Sequence, residues 1–510
     1  MQSVKSNTNR FYMPMLRPWV PQWLGIPLYM FTVLCFQFSS GVYLGALESV
    51  RGTTNLMLED MVYLLYAGLA GMAVMFPLLF RMKFRFTNKQ LLCGAACVVA
   101  ICNFITMHTT NMAILIPVCF VAGMAKLQGT FEVMSNIQLW HNPERDMGRF
   151  FPFLHIFLLT AIIGSAWLSA TIAYYLSWQM MHVLTMGTMC LVILIQQVFC
   201  QPFCPMPQRL SLRGIDWLTA VLICVLMLLV SAFFVYGDHL MWLYSRQLRI
   251  TLGLVVILLA IILYRMRVLE RPYLSPAVFR YKNVLPILFV CLLAELFLGA
   301  EHTLEEILYS EVMILEEHTK TKHDLFSLLG VYTGIITCWL WFRNHNWKVW
   351  RLLAIDFACI FTYGLLMYSR IDVTTPIEFY HSAMLFRGAA TAISGIALMW
   401  SLHESVHDFE HFFMALFVFN IIHMYLGGAQ GYGLYTTLFR HLLTDNMFRY
   451  DSMNIPAMMT ISIKQIYGCI CWGAVFMTSA FILLDIPRIR TGLHKLPYWP
   501  VYAIQYLSKR

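Results

Sequence analysis

Charge is scarce in this chain. Of its 510 residues only 12% are Asp, Glu, Lys or Arg, while 59% are hydrophobic and the mean hydropathy is +0.66. Soluble globular domains carry roughly 25% charged residues, so the composition excludes one and points to a polytopic membrane protein. Also missing are low-complexity segments and any hydrophilic stretch long enough for a folded domain outside the membrane. There is no C-x-x-C pair. The fourteen cysteines are scattered, mostly through apolar runs (Cys93, Cys97, Cys119, Cys224, Cys291, Cys338), and read as small buried hydrophobes rather than a disulfide framework. No cleavable signal peptide is expected, because Lys5, Arg10 and Arg17 precede an apolar run from Trp23 to Leu47 that is too long for one. The formal net charge of +9 does not argue for nucleic acid, since the basic residues sit between apolar segments and report topology.

What is present is a series of apolar segments. The stretch from Val121 to His182 sets the pattern, with two runs long enough for the ~30 Å hydrocarbon core flanking a short charged turn. Fourteen such spans are expected, at 23–47, 61–80, 90–107, 111–138, 150–173, 178–200, 215–236, 248–266, 283–303, 324–342, 349–369, 378–402, 409–430 and 461–484. All should be helices, because open strands leave backbone groups unsatisfied in lipid. With both termini in the cytoplasm, the inside loops take most of the Lys and Arg, led by Arg81/Lys83/Arg85/Lys89 and Arg265/Arg267/Arg271/Arg280/Lys282. The acidic stretch Glu301–Glu317 then falls outside. One inside loop, Leu402–Phe412, breaks the trend and holds no Lys or Arg.

Several motifs resemble the major facilitator superfamily, in particular its fourteen-span drug:proton antiporter branch of the EmrB/QacA type. The basic turn after span 2, Phe80-Arg81-Met82-Lys83-Phe84-Arg85, is a reduced form of that family's gating loop, which assigns Arg81 and Arg85 to it. Gln128-Gly129 in span 4 match an R-x-x-Q-G pattern, with Ala125 at the Arg position and Lys126 one step on. Gly164-Ser165-Ala166-Trp167, ending in Trp178-Gln179, is similar to the span 5 antiporter signature without its Pro, and Arg387-Gly388 matches an R-G pair in span 12. The branch's span 1 Asp falls on Ser39, so another carboxylate must take its place.

The resemblance implies two six-helix bundles with spans 7 and 8 inserted between them: residues 1–200, 201–270 and 271–510. It implies proton-driven export of lipophilic or amphipathic compounds from the cytoplasmic (inner) membrane of a bacterium, without a cofactor or catalysis. The partners would be the small-molecule cargo, protons and membrane lipid, with a periplasmic adaptor and an outer-membrane channel if the host has two membranes.

A charged side chain in the bilayer costs at least ~2.5–3 kcal/mol and marks a functional position or a buried pair. Glu295, about ~18 Å into span 9 at ~1.5 Å per residue, is the first candidate for proton coupling. The alternative is that it pairs with Lys126 or Arg387 and holds the halves together. Glu132 and Glu48 are further coupling candidates, with Glu132 suited to gating. Lys126, Gln128, Arg387, His155, His302 and His423 are expected to face a cargo cavity, although histidines in apolar surroundings, as at His155 and His423, are more often satisfied core residues than proton relays. Lys126 and Arg387 favour an alternative reading, transport of a specific anionic metabolite. Asp356, in span 11, is expected at the periphery. A reading of another class comes from His403-Glu404-Ser405-Val406-His407, a literal H-E-x-x-H. On one helix its two histidines would share a face and hold zinc, as in an intramembrane metalloprotease.

Overall fold

The computed structural model describes residues 15–40, 45–142, 146–204, 210–212, 214–344, 348–450 and 454–484. The regular structure among them is helical, apart from an isolated bridge between Leu16 and Cys200. Thirteen helices are long and apolar enough to cross a membrane. Span 1 is the exception: its helix Gln22–Gln37 passes into the turn Phe38–Ser40, and the chain becomes helical again over Leu47–Thr53. The protein is an integral, multi-pass membrane protein.

Spans 2 to 8 are the helices Leu58–Lys83, Asn88–His108, Met112–His141, Met147–Tyr175, Trp178–Phe199, Trp217–Val235 and Arg246–Val268. Spans 9 to 14 are Val284–Val312, Glu317–Arg343, Val349–Arg370, His381–Ser405, Phe409–Arg449 and Ile455–Leu484. The starts are written in the sequence. Thr87, Asn111, Asp146, Asp216 and Asp408 each accept a hydrogen bond from a first-turn backbone N–H of the helix that follows. Two ends differ from expectation. Span 13 was expected to stop at residue 430, after a Gly-rich run, yet it continues to Arg449, because those glycines are packed against neighbouring helices instead of turning. Span 9 runs past 303 into the acidic stretch expected to be a loop.

Two six-helix bundles result, and their packing repeats with an offset of eight spans. Span 2 packs on 4, 3 on 4 and 3 on 6; likewise span 10 packs on 12, 11 on 12 and 11 on 14. Across the bundles, span 2 meets 13 and span 5 meets 10, again related by eight. Spans 7 and 8 stand outside this repeat. They pair with each other, and span 7 leans on spans 2 and 13. Span 8 presents Ile250, Val256, Ile257 and Leu263 outward, as a lipid-facing helix would.

The same repeat governs the closest helix crossings. A Cβ at Gly71 of span 2 would strike the Phe120 carbonyl of span 4, and one at Gly123 the Gly68 carbonyl. In the other bundle a Cβ at Gly330 of span 10 would strike the Leu385 carbonyl of span 12, and one at Gly388 the Ser327 carbonyl. Backbones approach this closely only where a side chain is absent.

The loop between spans 7 and 8 ties the bundles together. Tyr236 donates to Asp60 of span 2 at 2.6 Å. Trp242 donates to Thr437 of span 13 at 2.8 Å, and Asp238 pairs with Arg440 at 2.7 Å.

Replacing Gly71 or Gly388 with Val should cost more than the ~1–3 kcal/mol typical of overpacking, because a backbone carbonyl blocks the site. Gly94→Ala, with nothing within 4 Å of the new carbon, should be tolerated. Melting temperature and the yield of monodisperse protein in detergent measure the contrast.

Candidate functional site

The site lies where spans 9 and 13 cross, beside departures from α-helical geometry in both. Span 9 has π-helical turns at Glu301–Glu305 and Leu308–Val312, and span 13 has one at Ile421–Leu426. Such turns recur at functional sites, since each breaks the regular hydrogen-bond ladder. Glycines permit the approach: a Cβ at Gly299 would lie 3.3 Å from the Gly427 carbonyl, and one at Gly427 would collide with Glu295 Cβ. The crossing brings His423 onto Glu295, with Nδ1 and Oε1 2.5 Å apart. The side chains are 17% and 15% exposed, so the pair is shielded without being sealed. Phe419 stacks on the His423 ring with centroids 5.3 Å apart.

The other bundle contributes His155 of span 5. Its Nδ1 lies 2.8 Å from the Phe151 carbonyl. A carbonyl only accepts, so Nδ1 carries the hydrogen and Nε2 of the neutral ring is left as an acceptor. That Nε2 faces span 12 and His423: a Cβ at Gly395 would lie 3.0 Å from it and 3.7 Å from Nε2 of His423. Two histidines from opposite bundles therefore flank one glycine, with Glu295 behind the second.

Cys291 Sγ joins Glu295 and His423 within 4.8 Å, the one group of three ligand-type side chains among the described residues close enough to hold a metal ion. However, the direct contact between His423 and Glu295 is shorter than the separation of two atoms bound to one zinc at ~2.0–2.1 Å each in a tetrahedral site. As it stands, the arrangement is a hydrogen-bonded pair.

Arg387 does not meet Glu295. It is buried with Glu305 and lies 3.3 Å from Asp324, while Tyr363 donates to Glu305 at 2.5 Å and so accepts from Tyr467 at 3.0 Å. Glu305 escaped the sequence reading because it lies in the acidic run Glu301–Glu317. The signal was available: Leu304, Ile307 and Leu308 carry the apolar pattern onward, and an arginine within a span demands a carboxylate. Lys126 does not meet Glu295 either. It lines a cavity of about 70 Å³ inside the N-terminal bundle, with Gly68, Asn103, Thr106 and His182. Glu132 pairs with Lys83 at 3.6 Å and accepts from Asn136 at 3.1 Å. Gln128 is buried and its amide finds no hydrogen-bond partner among the described residues. The side chain of His302 lies outside the described residues.

Both ends are bridged between bundles. At the end bearing the 2–3 loop, Arg81 lies 3.6 Å from Glu410, beside Phe80, Phe409 and Phe413. Arg85 instead lines a surface hollow with Ser211 and Trp217. At the opposite end Lys320 of span 10 meets Glu48 at 2.6 Å and Glu306 at 2.8 Å, and the Glu48 backbone donates to Glu317.

Two sequence expectations are corrected. Asp356 is wholly buried inside the C-terminal bundle, because span 11 turns that face to spans 12 and 14. The H-E-x-x-H does not lie on one helix. Span 12 ends at Ser405, Val406 is extended, and His407 follows outside, so His403 and His407 share no face. His403 packs edge-on against Phe412 and Phe151, and His411 contacts Tyr281 at 3.0 Å.

No family model matches this sequence, and no curated protein is similar to it by sequence. Solved structures are similar in fold. A mutant of the nucleoside transporter NupG aligns with a TM-score of 0.57 over 91% of this chain and 99% of its own, at 14% identity. An auto-inhibited POT family peptide transporter aligns at 0.55 over 90% and 96%, at 11% identity. The fold is the major-facilitator fold. Its two bundles and two inserted helices account for all fourteen spans.

Glu305→Gln would leave the Arg387 guanidinium with weakened compensation. Breaking a buried pair costs about 3–5 kcal/mol, and Asp324 should limit the loss to the lower end. A clear fall in melting temperature is expected, with Arg387→Met/Glu305→Gln together milder than Glu305→Gln alone.

Proposed function

We propose that this chain is a proton-coupled secondary transporter that exports lipophilic or amphipathic compounds. The observation that carries the reading is the Glu295–His423 pair, set at the crossing of two π-interrupted spans and approached by His155 from the opposite bundle. In this fold, cargo and coupling sites lie between the bundles, where helices are discontinuous. A carboxyl–imidazole pair there gives a proton two places to reside, and its charge decides how the bundles attract each other. Taking up the proton from one side and losing it to the other is the requirement for alternating access.

Aromatic rings meet across the bundle interface. Tyr66 and Tyr425 meet edge to face at 6.3 Å, and Phe131 and Phe413 at 5.6 Å. Such walls suit lipophilic cargo. They also weigh against the anionic-metabolite alternative, as does the placing of Arg387 with two carboxylates and of Lys126 within one bundle. A zinc protease is disfavoured by the break at Ser405. The remaining parts of the reading are a bacterial inner membrane, both termini in the cytoplasm, and handover of cargo to a periplasmic adaptor and outer-membrane channel. Glu48 and Arg81 take gating roles through the contacts at the two ends.

In proteoliposomes with an imposed pH gradient, ethidium should be moved against its gradient and should dissipate ΔpH as it moves. Glu295→Gln should lose proton-driven movement at least tenfold while the protein remains folded. Unchanged coupled transport in that variant would remove Glu295 from the mechanism. Normal transport by His407→Ala is expected.

A further inference from the structure

Cys291 and Glu295 are four residues apart on the helix Val284–Leu298 of span 9 and so share one of its faces. His423 of span 13 meets that face. A thiol sulfur, a carboxylate oxygen and an imidazole nitrogen there lie within 4.8 Å of one another. Thiolate, carboxylate and imidazole are the ligand types of protein-bound zinc. The sulfur selects thiophilic ions over Mg²⁺ and Ca²⁺, which prefer oxygen shells. Charge fits as well: a thiolate and a carboxylate together neutralise a divalent cation, so the filled site brings no net charge into an apolar bundle.

The positions are close to those that a tetrahedral ion demands. With Zn–N and Zn–O near ~2.0–2.1 Å and Zn–S near ~2.3 Å, the ligand atoms stand roughly 3.3–3.6 Å apart. Glu295 Oε1 and His423 Nδ1 are 2.5 Å apart. Parting them by about 1 Å lies within the reach of side-chain torsions. His423 also sits in the π-helical turn Ile421–Leu426, where the backbone ladder is already interrupted. Cys291 is fully buried, so an ion enters past Glu295 and His423, whose side chains remain partly exposed. Three protein ligands leave the fourth position open to water.

We propose that Cys291, Glu295 and His423 form an inhibitory zinc site. The ion takes the place of the hydrogen held between Glu295 and His423, and the Cys291 thiol gives up its own. The inhibition rests on the proton-coupled reading above: a pair that holds zinc takes up no proton, and the transport cycle halts.

Two measurements on the full-length protein test it. In the first, metal-stripped protein in detergent is titrated with Zn²⁺ against a chromophoric chelator and, separately, with Cd²⁺. One Zn²⁺ should bind per chain, and its affinity should fall at least about tenfold in Cys291→Ala and in His423→Ala. Cd²⁺ should raise a thiolate-to-metal charge-transfer band that is lost in Cys291→Ala and kept in Cys97→Ala, whose thiol is exposed on span 3. Unchanged Zn²⁺ affinity in either ligand variant overturns the proposal, as does a Cd²⁺ band that survives in Cys291→Ala. This arm needs no cargo, so failure of the export reading leaves it intact. In the second, Zn²⁺ should halt ΔpH-driven ethidium movement in proteoliposomes. The block should be relieved in Cys291→Ala, relative to that variant's own metal-free rate. Transport that continues with the site filled overturns the inhibitory role. Should Cys291→Ala fail to fold, His423→Ala decides the Zn²⁺ titration alone.

Discussion

The constraint on which this molecule depends is that an ion placed in oil needs a partner close by. The protein meets it in two ways. Some pairs are internal to one bundle, such as Glu132 with Lys83 and Arg387 with Glu305. These would keep their partners if the bundles moved against each other, as the proposed function requires. Others cross between bundles, such as Lys320 with Glu48 and Arg81 with Glu410. Under the proposed function, those would part whenever their end opened. Separation of the two kinds allows bundles to be stiff and their interface to be reversible. Burial of an ion pair is not itself stabilising relative to apolar packing, so the internal pairs mark where polar character is retained despite its cost.

Close backbone packing supplies the stiffness. The eight-span offset that relates Gly71 and Gly123 to Gly330 and Gly388 gives each bundle the same tight pair of helices. Nothing comparable holds spans 9 and 13 in regular geometry where they cross. Gly299, Gly427 and Gly431 bring them together, but a π-helical turn adjoins these glycines in each span, after Gly299 and before Gly427. The site thus combines close contact with a broken ladder, as the proposed proton coupling would require.

Much of the architecture was legible in the sequence because hydropathy acts locally. Each of the fourteen expected spans contains a helix, and the capping residues at Thr87, Asn111, Asp146 and Asp216 stand where the apolar runs begin. Pairing was much less legible, because it is set by distance in three dimensions. Glu295 could be singled out by depth, but its partner His423 is 128 residues away and carries no sign that distinguishes it from a core histidine. Glu305 was hidden by its acidic neighbours, and the length of span 13 by glycines that look like a turn. The H-E-x-x-H failed for the converse reason: its spacing is right for a helix, yet the helix stops at Ser405, two residues short of the second histidine.

The loop joining spans 7 and 8 has a mechanical consequence. It grips Asp60 on one bundle and Thr437 and Arg440 on the other, while spans 5 and 10 meet directly, through a Thr160–Tyr332 hydrogen bond at 2.9 Å and the stacking of Tyr174 on His318. The two seams of the molecule are therefore stitched differently, one by a connecting loop and one by direct contact between helices. A tilt of the bundles that kept the loop's grip would have to part Thr160 from Tyr332 at the other seam, so the mouth would open as a wedge rather than a slot.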